Sequence, residues 1–531
     1  MTGEGAVSGN RPAAGLGGRE ARARETRGRR ERRAAPAGGI RQLPFASVRN
    51  PFKPVEILSA DQIEAIHEAS LDLLERVGFE VLHDESLDIF AGAGATVDRG
   101  TRRVRLDRGL VMEAMAKAPS AFPLRARNPE RDLVIGSDHL VFCGTGGPAF
   151  VSDLDRGRRA GNAADMRDFV RLVQMLNVLH QEGSTAVEPT DLPAETRHLD
   201  VYEASLTLTD KSWHCWAIGA YRVKDAIEMA CIAYPTTREE LAERPAVISI
   251  VNSNSPLKLD IPMGEGLVEL ARHGQATVVT PFTLAGAMSP VTLAGALTQQ
   301  NAEALFMATL TQLVRPGAPV VYGGFTSNVD MRSGSPAFGT PEYTKAAFAS
   351  GQLARRYRLP YRSSNVNASN CVDLQATYES GMSLWGTIMG GVNLLYHAAG
   401  WLEGGLTASY EKLILDCEML QLVRETMTPI ATDPASLGLD AIAEVGPGGH
   451  FFGVGHTLER FEKAFYTPML SDWRNFETWS EAGAIDATHR ANAIWKELLR
   501  QYQEPPMDPD IREELAAYVV RRKREIESGK L

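Results

Sequence analysis

The stretch 255–322 constrains the fold more than any other part of the chain. It holds two β-rich runs, TVVT (277–280) and APVVY (318–322), on either side of a long amphipathic segment. Each run is short, apolar and rich in valine, and each stops abruptly, at Pro281 and at Gly323-Gly324. A strand buried on both faces of a parallel sheet has this pattern. Between the runs, Ser289, Pro290 and Thr292 offer a helix start, and apolar spacing continues to Leu313. Strand, helix and strand in this order make a βαβ unit, which commits the chain to α/β architecture.

The unit repeats. Eight short apolar runs occur, at 139–143, 177–181, 213–218, 246–251, 277–280, 318–322, 360–364 and 392–397. Helical patterns fall between them, near 163–175, 195–208, 223–234, 262–273, 291–313, 341–357 and 373–389, and another follows at 411–428. This alternation predicts a (β/α)8 barrel over 136–444. A doubly wound sheet is the alternative, but no GxGxxG follows an early strand. Residues 42–135 read as a small α/β extension, with a capping box at Ser59 and Gln62 and a hairpin at 96–106. Residues 445–531 read as a Gly-rich loop followed by a helical appendage, packed on the barrel or on a neighbouring subunit. Residues 1–41 carry ten Arg against four Glu, with little to bury, and are expected to be a disordered basic tail.

Composition excludes several classes. The net charge of −10 argues against nucleic-acid binding. The five cysteines are scattered, which suits reduced thiols in the cytoplasm better than a disulfide framework. No apolar run is long enough for a membrane span, and the first residues show no basic n-region followed by an apolar core, so a secretory signal is not expected.

A barrel places its site at the carboxyl ends of its strands. Here those ends are rich in Asn, Gly and aromatics and poor in carboxylates. Trp216, Phe282, Tyr322, Phe325, Tyr396 and Trp401 could converge on one cavity and hold a quaternary ammonium by cation–π attraction. Ordinary barrel packing accounts for such rings equally well. Asn252 and Asn254 lie near the fourth strand end and Arg362 near the seventh, with structural roles as the plainer reading. His397, His450 and His456 leave open a metal-dependent hydrolase or lyase, although no HxH follows the first strand. A non-catalytic barrel that binds an osmolyte is the third reading.

Several long motifs resemble one family. They are VVTPFTLAGAMSPVTLAGAL, QQNAEAL and VRPGAPVVYG within 278–323, with GRRAGNAADMRDFVRL (157–172), SPLKLD (255–260), GSPAFGTPEY (334–343) and GGHFFGVGHTLERF (448–461). Together they resemble the corrinoid-dependent trimethylamine methyltransferase family, from about residue 43 onward. The resemblance implies a TIM barrel that moves a methyl group from a methylated amine to a Co(I) corrinoid. That cofactor is carried by a small corrinoid-binding partner protein, since this chain has no DxHxxG signature. No metal of its own is implied, and a homo-oligomer is expected. Founding members carry pyrrolysine after the seventh strand; that position falls here at Asn365 or Val366. The departure points to the non-pyrrolysine branch and to a quaternary amine such as glycine betaine. On this reading Asn365 is the catalytic candidate. Trp216, Phe282, Tyr322, Phe325, Asn252, Asn254 and Trp401 would bind substrate, and Gly323, Gly324 and His450 would face the cofactor.

Overall fold

The computed structural model describes residues 40–530. The expected basic tail therefore lies outside the described residues, except for its last two. At the centre is a curled sheet whose parallel strands follow one another in both chain order and space. They are His139–Gly144, Trp213–His214, Val247–Val251, Ala276–Val279, Val320–Gly323, Tyr361–Ser364 and Leu394–Ala399. The last pairs with the first, Leu394 beside Val141 and Leu395 beside Phe142.

The second expected strand, 177–181, is the exception. It contributes single parallel bridges, from Gln181 to Cys143 on one side and to Ser212 on the other. The reason is competition for one edge. Val48–Arg49 pairs antiparallel with His139 and Leu140, so the free edge of that strand begins only near Cys143. Side chains hold the short segment instead. The buried Lys211 ammonium donates to the carbonyls of Val173, Leu176 and Leu179 at 2.6, 2.8 and 2.7 Å. His180 Nδ1 accepts from the Phe142 amide at 2.9 Å, and its Nε2 lies 3.1 Å from the Ala46 carbonyl. Burial pushes the His180 pKa down to about 3, so the ring is neutral and Nε2 is the donor.

A hairpin of Ala121–Leu124 and Leu133–Gly136 packs against the amino-terminal end of the sheet. Its Phe122, Leu124, Leu133 and Ile135 join Val141, Ile248, Val278, Val321 and Leu394 in one apolar core. The extension before it has the expected capping box at Ser59 and Gln62 and the expected hairpin of Thr96–Asp98 with Arg103–Arg105. It covers the helix Leu293–Val314, stacking Phe79 on Phe306 with ring centroids 4.1 Å apart. That helix was read as amphipathic, yet it is buried almost all round, because the extension supplies its outer layer.

The carboxyl-terminal helices Ala487–Gln501 and Pro509–Glu527 pack on this chain itself. Trp495 Nε1 donates to Glu411 at 3.0 Å, and the Tyr518 hydroxyl donates to Asp225 at 2.8 Å. Among the described residues no helix is long and apolar enough to cross a membrane.

Lys211→Met keeps the buried stem but strands three carbonyls. Unmade buried hydrogen bonds of this kind cost about 1–3 kcal/mol each, partly recovered by relaxation. The unfolding free energy from denaturant titration should fall by about 2–4 kcal/mol overall. A variant as stable as the parent would show that the ammonium is not what holds 173–179 in place.

Candidate active site

Beyond the central sheet, two strands break and restart. Ala276–Val279 is followed by Phe282–Ala285, and Val320–Gly323 by Phe325–Val329; the new pair is again parallel, with Phe282 beside Phe325. Glycine permits the second break. A Cβ on Gly323 would lie 2.2 Å from Thr280 Oγ1, and one on Gly324 would lie 2.7 Å from Ser350 Cβ. Both glycines thus serve close packing, and neither lines the cavity described next.

A cavity of about 740 Å³ opens at the carboxyl ends of the strands. Of the expected substrate-binding residues, Trp216, Phe282, Phe325, Asn252 and Asn254 line it. Phe282 and Phe325 lie 5.1 Å apart at a 34° tilt. Trp216 Nε1 donates to Thr185 Oγ1 at 2.8 Å, which fixes the indole. The Asn254 side chain is occupied by Asp260, donating to its carboxylate and accepting from its amide, both at 3.1 Å.

The remaining candidates sit elsewhere. Tyr322 turns away, donating to Asn301 Oδ1 at 2.9 Å behind the sheet. Trp401 stands behind the wall, stacked on His397 at 5.4 Å. Asn365 is fully buried, and its Nδ2 donates to the Ala398 carbonyl at 3.0 Å. It does not line the cavity, because the backbone after Ser364 turns this side chain toward the Leu394–Ala399 strand. His450 is not among the lining residues either; its ring lies 6.1 Å from that of Phe452. His456 approaches the Ala435 carbonyl at 3.1 Å, so the histidines of the metal reading do not gather at the cavity. Among the described residues, the one group placed to share a cation is Glu64, His67 and Glu68, none of which lines the cavity.

Three lining residues gain weight from the geometry. His397 occupies a register shift at its strand end with φ of 50°, a left-handed conformation uncommon outside glycine. Its Nδ1 accepts from the Gly146 amide at 3.3 Å. His214 Nε2 accepts from the Ile250 amide at 3.1 Å. Burial lowers both imidazole pKa values, that of His214 to about 3, so both rings are neutral. Arg362 is 2% exposed, and its guanidinium lies 5.1 Å from the ring centres of both Phe325 and Tyr396. The sequence offered Arg362 only as a strand-end charge. That it is buried and faces the cavity depends on strand register.

The loop 252–255 forms one wall. It is held by Glu303, from the middle of the helix Leu293–Val314. That carboxylate accepts from Ser253 Oγ at 2.5 Å, Ser255 Oγ at 2.6 Å and the Leu257 amide at 3.0 Å.

The fold and cavity define a class: an α/β protein with a cavity at the carboxyl ends of a curled parallel sheet, the place where such folds take small molecules. Comparison with known proteins narrows it. The trimethylamine methyltransferase family model matches residues 22–527. A glycine betaine methyltransferase from Desulfitobacterium hafniense is 38% identical over 88% of this chain and 98% of its own length. A trimethylamine methyltransferase from another strain of that organism is 30% identical over 87% and 92%. The crystal structure of the Methanosarcina barkeri monomethylamine methyltransferase shares the fold, with a TM-score of 0.50 at 10% identity over 85% of this chain and 90% of that one. The chain belongs to the trimethylamine methyltransferase family.

Glu303→Ala would leave two hydroxyls and one amide without their acceptor. Amide hydrogen exchange across 252–258 should speed up by at least about tenfold, the equivalent of one lost charge-assisted bond. Unchanged exchange there would mean that the wall does not depend on Glu303.

Proposed function

We propose that the chain transfers a methyl group from a quaternary methylated amine, such as glycine betaine, to a Co(I) corrinoid on a separate small protein. The observation that carries this reading is an aromatic-walled cavity without a usable nucleophile of its own. Trp216, Phe282 and Phe325 line the cavity, and aromatic rings of this kind would hold a methylated cation, which needs no hydrogen-bond acceptor. The relationship to a glycine betaine methyltransferase supports the same donor class.

The chemistry follows from the donor. When the N–CH₃ bond of a quaternary ammonium breaks, both electrons stay on nitrogen and a neutral tertiary amine leaves. No general acid is required. The chain's own candidate acceptor is poor: Cys215 lines the cavity, but burial pushes its pKa up to about 12, so it stays a thiol. A nucleophile brought from outside fits better. At the cavity, Gly147 has open space where a side chain would stand, and Ile218 is an exposed apolar neighbour. These residues would receive the corrinoid, which supplies the nucleophile when bound. The chain's part is to orient one methyl group toward that opening and to exclude water.

Three further points belong to this reading. A closed (β/α)8 barrel is supported by the bridges through Gln181, which link the first and third expected strands. A cytoplasmic location is consistent with five unpaired cysteines. Self-association is supported by bare aromatic surface: Phe452, Phe465, Trp473 and Phe476 are each 68–86% exposed.

Incubation with Co(I) cobalamin and a panel of methylated amines should yield methylcobalamin, read by absorbance, with a quaternary donor. Trp216→Ala should raise KM for that donor by about tenfold, the scale of one cation–π contact. No methylcobalamin with any donor would refute the assignment. Light scattering should find a dimer or larger species, weakened by Phe452→Asp with Trp473→Asp; a monomeric parent would remove the proposed interface.

A further inference from the structure

Arg362 is a buried charge without a counter-charge. It lines the cavity, its Nε and Nη1 have no hydrogen-bond partner, and among the described residues no carboxylate pairs with it. An unpaired buried cation is costly, and folded proteins keep one only where something else offsets the cost. A second unmet donor stands in the same cavity. His214 accepts at Nε2 from the Ile250 amide, so in the neutral ring the proton sits on Nδ1, which is buried and makes no well-formed hydrogen bond, with only the Cys215 carbonyl near it as an acceptor. The wall here therefore presents donors without a well-formed hydrogen bond.

We infer that Arg362 and His214 form an anion subsite that receives the carboxylate of the methyl donor, so that the site selects zwitterionic betaines over purely cationic amines. This rests on the methyltransferase reading above and assigns residues within it. Phe325 links the two halves of the donor: the Arg362 guanidinium lies 5.1 Å from its ring centre, and the Phe282 ring lies 5.1 Å away. Carboxylate and ammonium would thus sit on neighbouring groups, as a short spacer requires. The carboxyl of Glu182 is not among the residues that line the cavity; it accepts from the Ser184 amide at 3.1 Å, and burial raises its pKa above the usual carboxylate range.

The test compares glycine betaine with choline, which keeps the trimethylammonium group and replaces the carboxylate by a hydroxymethyl. Calorimetry on the full chain should show betaine bound at least tenfold more tightly than choline. Arg362→Met should weaken betaine binding by about a hundredfold and choline binding by less than about threefold, the loss expected for a buried charge-assisted pair. His214→Asn, which keeps one N–H, should be milder. Thermal unfolding separates this from a structural role: removing an unpaired buried charge should leave Tm unchanged or higher, whereas a scaffold residue would lower it. Equal loss of both ligands, or a betaine affinity untouched by Arg362→Met, would overturn the subsite. Methylcobalamin formed as readily from choline or tetramethylammonium as from betaine would overturn it too, while leaving the methyltransferase reading intact. No transfer from any donor, with betaine still bound through Arg362, would sink the methyltransferase reading and keep the subsite.

Discussion

One turn of the helix Leu293–Val314 joins most of the molecule. Gln300, Asn301 and Glu303 are all buried there, and each must find partners or carry a desolvation cost. Gln300 donates to Ser350 at 3.0 Å and accepts from Thr326 at 2.5 Å, tying in the next helix and the restarted strand. Asn301 donates to Ser70 at 3.0 Å, tying in the amino-terminal extension, and to Tyr357 at 2.9 Å, at the end of the helix Pro341–Arg356. Glu303 reaches the cavity wall. Scaffold contacts and a site contact therefore come from residues two positions apart on one helix turn, and the QQNAEAL motif is chiefly a packing device.

The cavity shows the complementary economy. Its floor and walls draw on Trp216, Phe282, Arg362 and His397, which come from four different strand ends. The groups are held by backbone amides more than by one another: Gly146 for His397 and Ile250 for His214. Such anchoring sets the tautomers and leaves ring N–H groups as donors. The result is a site with several donors, aromatic faces and little acid–base capacity. That combination suits binding and orienting a methylated cation more than proton transfer.

Much of the fold was legible in the chain. Continuous β-branched runs and helical spacing located the strands 247–251, 276–279 and 320–323 and the intervening helices closely, because their apolar faces are buried on both sides. The run at 177–181 reads as a full strand in the sequence but forms only single bridges, since Val48–Arg49 occupies the edge it would have used. The restarted strands at 282–285 and 325–329 are not legible in the sequence, because a break of one or two residues looks like a strand end. For the site, strand-end position found Trp216, Phe282 and Phe325 but also Tyr322 and Asn365, which face outward. Alternation along a strand has two phases, and a local sequence does not say which phase faces the axis.

The sequence by itself determined the class of architecture and the family, because hydrophobic period and long motifs are local properties of the chain. It also determined that few acids or bases would stand at the strand ends. Tertiary structure decided which strand-end side chains share the cavity. It left Arg362 buried without a partner, and it turned Asn365 toward the neighbouring strand. Those outcomes depend on register between strands more than a hundred residues apart in the chain, such as His139–Gly144 with Leu394–Ala399, and on what covers each edge. No local pattern encodes such pairings; packing selects them.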